Sequence, residues 1–339
     1  MTTEPAEAIV DLMERSALAQ AAYVAAELRL ADHLAAGPMQ VSELARATNC
    51  HPESLHRLLR ALATLEICIE HDDGAFALSR SGLPLRSDAA DSVQSRLLWF
   101  GRTQWAVWGQ LLQTVRTGES ARKRMTGSDG FGLLERDPSA ASTFNRAMVQ
   151  RTRLVAKAVA QHYDFSGVTT IVDVGGGQGV LLEELLRANP HLRGVLVDRP
   201  HAIDGARALL DQAGVADRCE LMPGDFFESQ PAGADAYLLK NIIHDWDDER
   251  ASRILRNCHD AMPAGGRLLL VEHVLPARLD ASASHRAIVH ADLTMMLGPG
   301  GKERNEREFR ELLQRSGFVL AGIKPVGLGY SILEASKAP

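Results

Sequence analysis

The hydrophobic pattern changes period once along this chain. Up to about residue 160, apolar positions recur every three or four residues, the spacing of helices with one buried face. Residues 17–36, rich in Ala and Leu, predict a helix stopped by Gly37-Pro38, and 41–48 predict a second with Ser42 as N-cap. His51-Pro52-Glu53 opens a third over 54–65, with Leu55, Leu58, Leu59, Leu62 and Leu65 on one face. Short apolar runs at 67–70 and 75–78 flank Asp72-Asp73-Gly74 and predict a hairpin. Two short helices plus a hairpin make a winged-helix pattern. A long helix is expected over 97–117, a polar, glycine-containing break over 117–132, and a further helix carrying Phe144-Asn145-Arg146-Ala147-Met148.

Beyond about 165 the apolar runs shorten. Strands are expected at 170–174, 193–197, 219–222, 236–239 and 267–272, with helical stretches between them. That alternation predicts a mostly parallel α/β sheet. Residues 292–297 and 306–316 read as helices, and 318–323 and 330–335 as closing strands. The expected organisation is a mainly helical, winged-helix domain over 1–160 and an α/β domain over 161–339.

Bulk properties narrow the class. The 339 residues predict two or three domains, and 45% hydrophobic with 24% charged is enough to bury a sizeable core. A net charge of −6 gives no general attraction to nucleic acid. Cys50, Cys68, Cys219 and Cys258 are far apart and form no C-x-x-C, so neither a zinc site nor a disulfide framework is expected, and a reducing cytoplasm fits. No run of 18 apolar residues predicts a membrane span. The opening Met1-Thr2-Thr3-Glu4-Pro5 lacks the apolar core of a secretory signal.

The candidate chemistry lies at the ends of the expected strands. Residues 171–180 run strand, glycine turn, helix, with glycines at 175, 177 and 179 rather than at G-x-G-x-x-G spacing. Such a turn suits a nucleoside ligand without obviously suiting a pyrophosphate. Asp198 ends the next strand, where a carboxylate either accepts from ribose hydroxyls or caps the following helix. Gly224-Asp225-Phe226-Phe227 follows the third strand; Asp225 and Phe226 suit an adenine amino group and ring face, or a plain turn over core phenylalanines. After the fourth strand comes the segment from Lys240 to Glu249, containing His244-Asp245-Trp246. A histidine at a strand's carboxyl end is placed to act as a base, although an isolated one is more often structural. Glu272 and Glu303 are the carboxylates that could fix its tautomer.

Six stretches carry a family resemblance: 57–62, 144–148, 173–179, 223–227, His244-Asp245-Trp246, and Gly300-Gly301-Lys302-Glu303-Arg304. In this order, and over nearly the whole chain, the sequence resembles the O-methyltransferases of the plant caffeate and hydroxyindole type and their bacterial antibiotic-pathway branch. The resemblance implies a dimerising N-terminal domain and a Rossmann-like methyltransferase domain. It implies S-adenosylmethionine held by the turn with Gly175 and Gly177 and by Asp198, Gly224, Asp225, Phe226 and Lys240. His244 would be the base, flanked by Glu272 and Glu303, with no metal. Phe144, Met148, Asp245, Met295 and Met296 would line the acceptor pocket. The family usually has an aromatic-rich stretch where this chain has Ala121-Arg122-Lys123-Arg124-Met125, and often a Trp at Gly132.

The expected activity is methylation of a hydroxyl, phenolic by preference, on an aromatic secondary metabolite by a homodimer with no nucleic-acid or membrane partner. Three rivals are a winged-helix transcription regulator contacting phosphates through His51, His56, Arg57 and Arg60, an NAD-dependent oxidoreductase, and an enzyme that keeps the cofactor but performs other chemistry on a polycyclic aromatic.

Overall fold

The computed structural model describes residues 5–128 and 131–339. Met1–Glu4, the start of the segment expected to lack a secretory signal, and Asp129-Gly130 of the expected break lie outside the described residues. The chain forms two compact units, one from the residues up to Ala106 with Arg146–Gln150, the other from Val107–Asn145 with Arg151–Pro339. Among the described residues no helix is long and apolar enough to cross a membrane.

In the first unit, the single helix expected over 17–36 is two helices. α1 (Pro5–Glu27) starts earlier, and a left-handed Arg29 (φ 53°) turns the chain into α2 (Leu30–His33). β1 (Met39–Gln40) leads into α3 (Val41–Thr48), whose N-cap is Gln40 rather than Ser42. The Gln40 amide donates to Glu43 in a capping box, which leaves Ser42 inside the first turn. α4 (Pro52–Thr64) has Pro52 in its first turn and the His51 ring as its cap, and it buries Leu55, Leu59 and Leu62. β2 (Cys68–Glu70) and β3 (Ala75–Leu78) form the hairpin, and β1 joins it in the antiparallel order β1-β3-β2.

The helix expected over 97–117 is also interrupted. α5 (Gln94–Trp99) passes through a π turn at Phe100–Gln104 before α6 (Trp105–Trp108) and α7 (Leu111–Thr117). The cause is steric: a Cβ at Gly101 would fall within the Tyr23 ring, so the helix widens where it meets α1. The expected break contains a helix, α8 (Ala121–Thr126), bounded by left-handed Gly118 and Gly127 and capped by Ser120. α9 (Gly132–Arg136) and α10 (Pro138–His162) follow, and the Asp137 carboxylate caps α10 through the amides of Ser139 and Ala140.

The second unit alternates as expected: β4 (Thr170–Val174), α11 (Val180–Ala188), β5 (Arg193–Asp198), α12 (Pro200–Ile203), α13 (Ala206–Gln212), β6 (Cys219–Pro223), β7 (Ala236–Lys240), α14 (Asp248–Ala261) and β8 (Arg267–Leu275). Then come α15 (Ala283–Leu297), β9 (Arg304–Asn305), α16 (Glu306–Arg315), β10 (Phe318–Gly327) and β11 (Tyr330–Lys337). The sheet order is β10-β11-β8-β7-β4-β5-β6, with β9 beside β8. β4 to β8 are parallel to one another, whereas β11 runs antiparallel between β8 and β10. Alternate residues of β4 enter opposite cores: Ile171 packs with Leu181, Leu185 and Val159, and Val172 with Ile254, Phe309 and Leu312. From β4 the chain builds towards β5 on one side and later towards β7 on the other. A crevice therefore opens at the carboxyl ends of β4 and β7, where α/β sheets hold ligands.

Candidate functional site

On the β4 side, Gly175, Gly177 and Gly179 all adopt left-handed backbone (φ 71°, 58° and 77°), which only glycine takes without strain. Asp198, at the end of β5, holds this turn: its Oδ2 accepts from the Gly177 amide at 2.8 Å and its Oδ1 from the Arg199 amide at 2.7 Å. Gly224 follows β6. Asp225 Oδ1 accepts from the Phe227 amide, and its Oδ2 accepts from Arg199 Nη1 at 2.9 Å. Arg199 reaches Glu135 with its other nitrogen. The Phe226 ring flanks the turn, 3.5 Å from where a Cβ on Gly175 would stand. Lys240 ends β7 and donates to Thr152 Oγ1 at 3.1 Å; burial, helped by Arg151, pushes its ammonium down to about 7.

Sequence reasoning gave Asp173 no role. It is fully buried beside the turn, with Oδ2 lacking a hydrogen-bond partner, and burial reinforced by Asp198 pushes its carboxyl up to about 7. Burial also raises Asp198. Acids held this way repel phosphate and favour a cation. An adenosine ligand with a sulfonium and an ammonium matches that charge. The signal was the acid at the end of the β4 run, readable only as a strand terminus without its neighbours.

On the β7 side, a left-handed Asn241 (φ 55°) turns the chain into a short 3₁₀ turn at Ile243–Asp245. Glu272, from β8, fixes that turn by accepting from the amides of Ile242 (3.1 Å) and Ile243 (2.9 Å). His244, 3% exposed, meets Glu303 Oε1 through Nδ1 at 2.8 Å. Glu303 is itself held by its amide, which donates to Asp292 Oδ1. Glu272 Oε2 is 3.8 Å from Nδ1, beyond hydrogen-bond reach, so the two carboxylates are not equivalent. Nε2 lies 3.6 Å from Asp245 Oδ1. Burial pushes Glu303 up to about 8 and Asp245 up to about 6, and it raises Glu272 as well. With Glu303 ionised, Nδ1–H donates to it and Nε2 carries the lone pair, the arrangement of an oriented base. Donor atoms of His244, Glu272 and Glu303 also lie within 4.8 Å of one another, a spacing open to a cation.

Arg304, quoted above only as part of a motif, clamps this turn. Its fully buried guanidinium donates to the carbonyls of Ile243 (3.0 Å) and Trp246 (2.8 Å) and to Asp248 Oδ1. Arg304→Met is expected to lower unfolding free energy by about 2–4 kcal/mol, since two buried carbonyls lose their donor. Chemical denaturation measures this; a change below about 0.5 kcal/mol would contradict the clamp.

Of the expected pocket residues, Phe144 packs edge-on to Phe131 (6.0 Å between ring centres), and Phe131 packs against Trp246 (6.0 Å). Met295 is buried and Met296 half-buried at the end of α15, and Asp245 borders Nε2. Met148 falls in the stretch of α10 that clusters with the first unit.

The fold and this geometry define a methyltransferase class, and sequence comparison makes the family plain. An O-methyltransferase domain model matches residues 108–319, and an O-methyltransferase dimerisation domain model matches 10–81. The chain belongs to this O-methyltransferase family and is an S-adenosylmethionine-dependent enzyme. It is 41% identical to a phenazine O-methyltransferase of Lysobacter antibioticus over 93% of this chain and 92% of that one. It is 41% identical to the mitomycin biosynthesis 6-O-methyltransferase of Streptomyces lavendulae over 98% and 95%. Among solved structures, an O-methyltransferase from neocarzinostatin biosynthesis, in complex with S-adenosylmethionine and 2-hydroxy-5-methyl naphthoic acid, superposes with a TM-score of 0.82. It is 33% identical and covers 94% of this chain and 96% of that one. The winged-helix segment is thus matched as a dimerisation domain, and the regulator reading is not favoured.

Proposed function

We propose that this enzyme methylates a phenolic hydroxyl of an aromatic secondary metabolite, with His244 as general base. The observation that carries the reading is the buried 2.8 Å contact between His244 Nδ1 and Glu303, which leaves Nε2 as the proton-accepting edge. S-adenosylmethionine, when bound, supplies an electrophilic methyl carbon on a sulfonium that departs as a neutral thioether. Gly175, Gly177, Asp198, Gly224, Asp225, Phe226 and Lys240 hold it, with Asp173 as a buried counter-charge. His244 takes the phenol proton at Nε2, Glu303 stabilises the imidazolium through Nδ1, and Glu272 keeps the turn in place. Phe144, Asp245, Met295 and Met296 shape the acceptor side. The enzyme works as a cytoplasmic homodimer through its N-terminal domain, and the cluster around His244 orients a base rather than a metal.

The test is transfer from S-adenosylmethionine labelled with ¹³C in its methyl group to a panel of hydroxylated aromatics. An aryl methyl ether carbon signal is expected; label found on nitrogen or carbon, or none transferred, would overturn the reading. Chelation should leave the rate unchanged.

The His244–Glu303 pair also sets a pH limb. A proton on the Glu303 carboxyl faces Nδ1, so the ring carries its own proton at Nε2 and no lone pair is left there. Burial holds the Glu303 carboxyl up at about 8, so kcat/KM should rise with pH towards that value. In Glu303→Gln the imidazolium loses its carboxylate. That limb should disappear, with a plateau roughly 10- to 100-fold lower. A limb that stays in place would remove Glu303 from the pair.

A further inference from the structure

The cluster around His244 carries more carboxylate oxygen than the reaction uses. His244, Glu272 and Glu303 are all buried. Each glutamate engages one oxygen: Glu272 Oε1 accepts from the amides of Ile242 and Ile243, and Glu303 Oε1 meets His244 Nδ1. The other oxygen of each, Oε2, is buried with no hydrogen-bond partner. An orphaned carboxylate oxygen in a buried site costs free energy that a bound cation would recover. Glu272 Oε2 lies 3.8 Å from His244 Nδ1, and Glu303 Oε1 lies 2.8 Å from the same nitrogen. Nδ1 is therefore a corner that both acids share.

A tetrahedral metal ion bonded to nitrogen and oxygen at about 2.0–2.1 Å holds its ligands about 3.3 Å apart. The two distances from Nδ1, 2.8 and 3.8 Å, straddle that separation, and donor atoms of all three residues lie within 4.8 Å of one another. Changes of about 0.5 Å in each distance would close the set. One imidazole and two carboxylates, with a fourth position for water, is a donor set of zinc. Magnesium instead demands an octahedron of oxygens. Two carboxylates also match the two charges of zinc, so the buried site stays neutral. We propose that His244, Glu272 and Glu303 form a zinc-binding site, and that zinc bound there shuts off the base. The metal takes the lone pair of Nδ1. The proton leaves Nδ1 and the neutral ring carries one at Nε2 instead, with no net gain or loss at the imidazole. Both glutamates bind as carboxylates, any carboxyl proton passing to solvent. Nε2 then has no lone pair for the acceptor's proton. Zinc is an inhibitor in this scheme, not a cofactor. The binding site stands on its geometry, and the inhibition rests on the proposed role of His244.

The test adds zinc chloride alone to the metal-free enzyme in a calorimeter, and methyl transfer to a phenol is followed in parallel. One zinc ion per chain should bind at this site, and saturation should lower the rate roughly 10²- to 10⁴-fold, the share of a positioned base. Magnesium at the same concentration should do neither, and a chelator added after zinc should restore the rate. Glu303→Gln and Glu272→Gln each remove a ligand. Each should weaken zinc by more than the roughly 10- to 100-fold that losing an outer-shell partner costs. Retained affinity for S-adenosylhomocysteine shows that a variant is folded. Should Glu272→Gln lose it because its turn is released, Glu303→Gln and His244→Gln carry the test. Zinc should bind His244→Gln far more weakly and leave its residual rate unchanged. No binding by the wild type, an affinity that survives the substitutions, or a rate raised by zinc overturns the inference. Zinc held by these residues without loss of rate would instead contradict His244 as the base and leave the zinc site standing.

Discussion

His244→Gln should lose roughly 10²- to 10⁴-fold in kcat, the usual contribution of a positioned general base, while binding S-adenosylhomocysteine as the wild type does. Glutamine keeps the length and a polar end but cannot accept the phenol proton at neutral pH. The effect is confined to chemistry because the cofactor-side residues belong to other elements: the turn after β4, Asp198 at the end of β5 and Asp225 after β6. The partner of the imidazole is also local. Glu303 is held by the hydrogen bond that its backbone amide donates to Asp292 Oδ1, so its position does not depend on the ring. Calorimetry with S-adenosylhomocysteine and single-turnover rates with a phenolic acceptor separate the two readouts. A variant that turns over normally near neutral pH would remove His244 from the reaction.

Gly301→Ala should be nearly as damaging without touching any ionisable group. A Cβ at Gly301 would overlap the carbonyl oxygen of His244 and the carbonyl carbon of Asp245, which are backbone atoms and cannot rotate away. The same contact zone holds the hydrogen bond from the Lys302 amide to the His244 carbonyl. The methyl group must therefore push the His244 turn and the Glu303 segment apart. Displacement of the base by about 1 Å costs on the order of 10²-fold in rate, and overpacking costs about 1–3 kcal/mol of stability. Gly322→Ala is the matched control. It lies in β10, a Cβ there meets nothing within 4 Å, and its effect should stay within about 0.5 kcal/mol. Equal behaviour of the two variants in thermal melts and turnover would contradict the packing argument.

Much of this was legible in the sequence because period and punctuation agreed. The five parallel strands lie at the short apolar runs expected to form them, with helices between them. What failed were long helices judged by composition alone. Nothing local in 97–117 signals that Tyr23, far away in sequence, removes the room for a side chain at Gly101. The left-handed Arg29 is equally silent, because arginine carries no turn signature. At the site, the sequence supplied His244, Glu272 and Glu303 as a set but treated the two acids as equal. Their different tasks, one bonded to the ring and the other to backbone amides, depend on register between β8 and the 3₁₀ turn. Asp173, Asp292 and Arg304 act through burial and long-range bonds, which spacing does not encode.

The central claim is that His244 removes the acceptor's proton. The measurement that bears on it most directly is the single-turnover rate of wild type and His244→Gln across phenols of graded acidity. A phenol with pKa near 10 needs the base, whereas one that is already ionised at the assay pH does not. The account predicts that the loss in His244→Gln is largest for the weakest acid and falls towards zero for an acceptor that is phenolate in solution. A loss of the same size for every acceptor would contradict it and make His244 a structural residue.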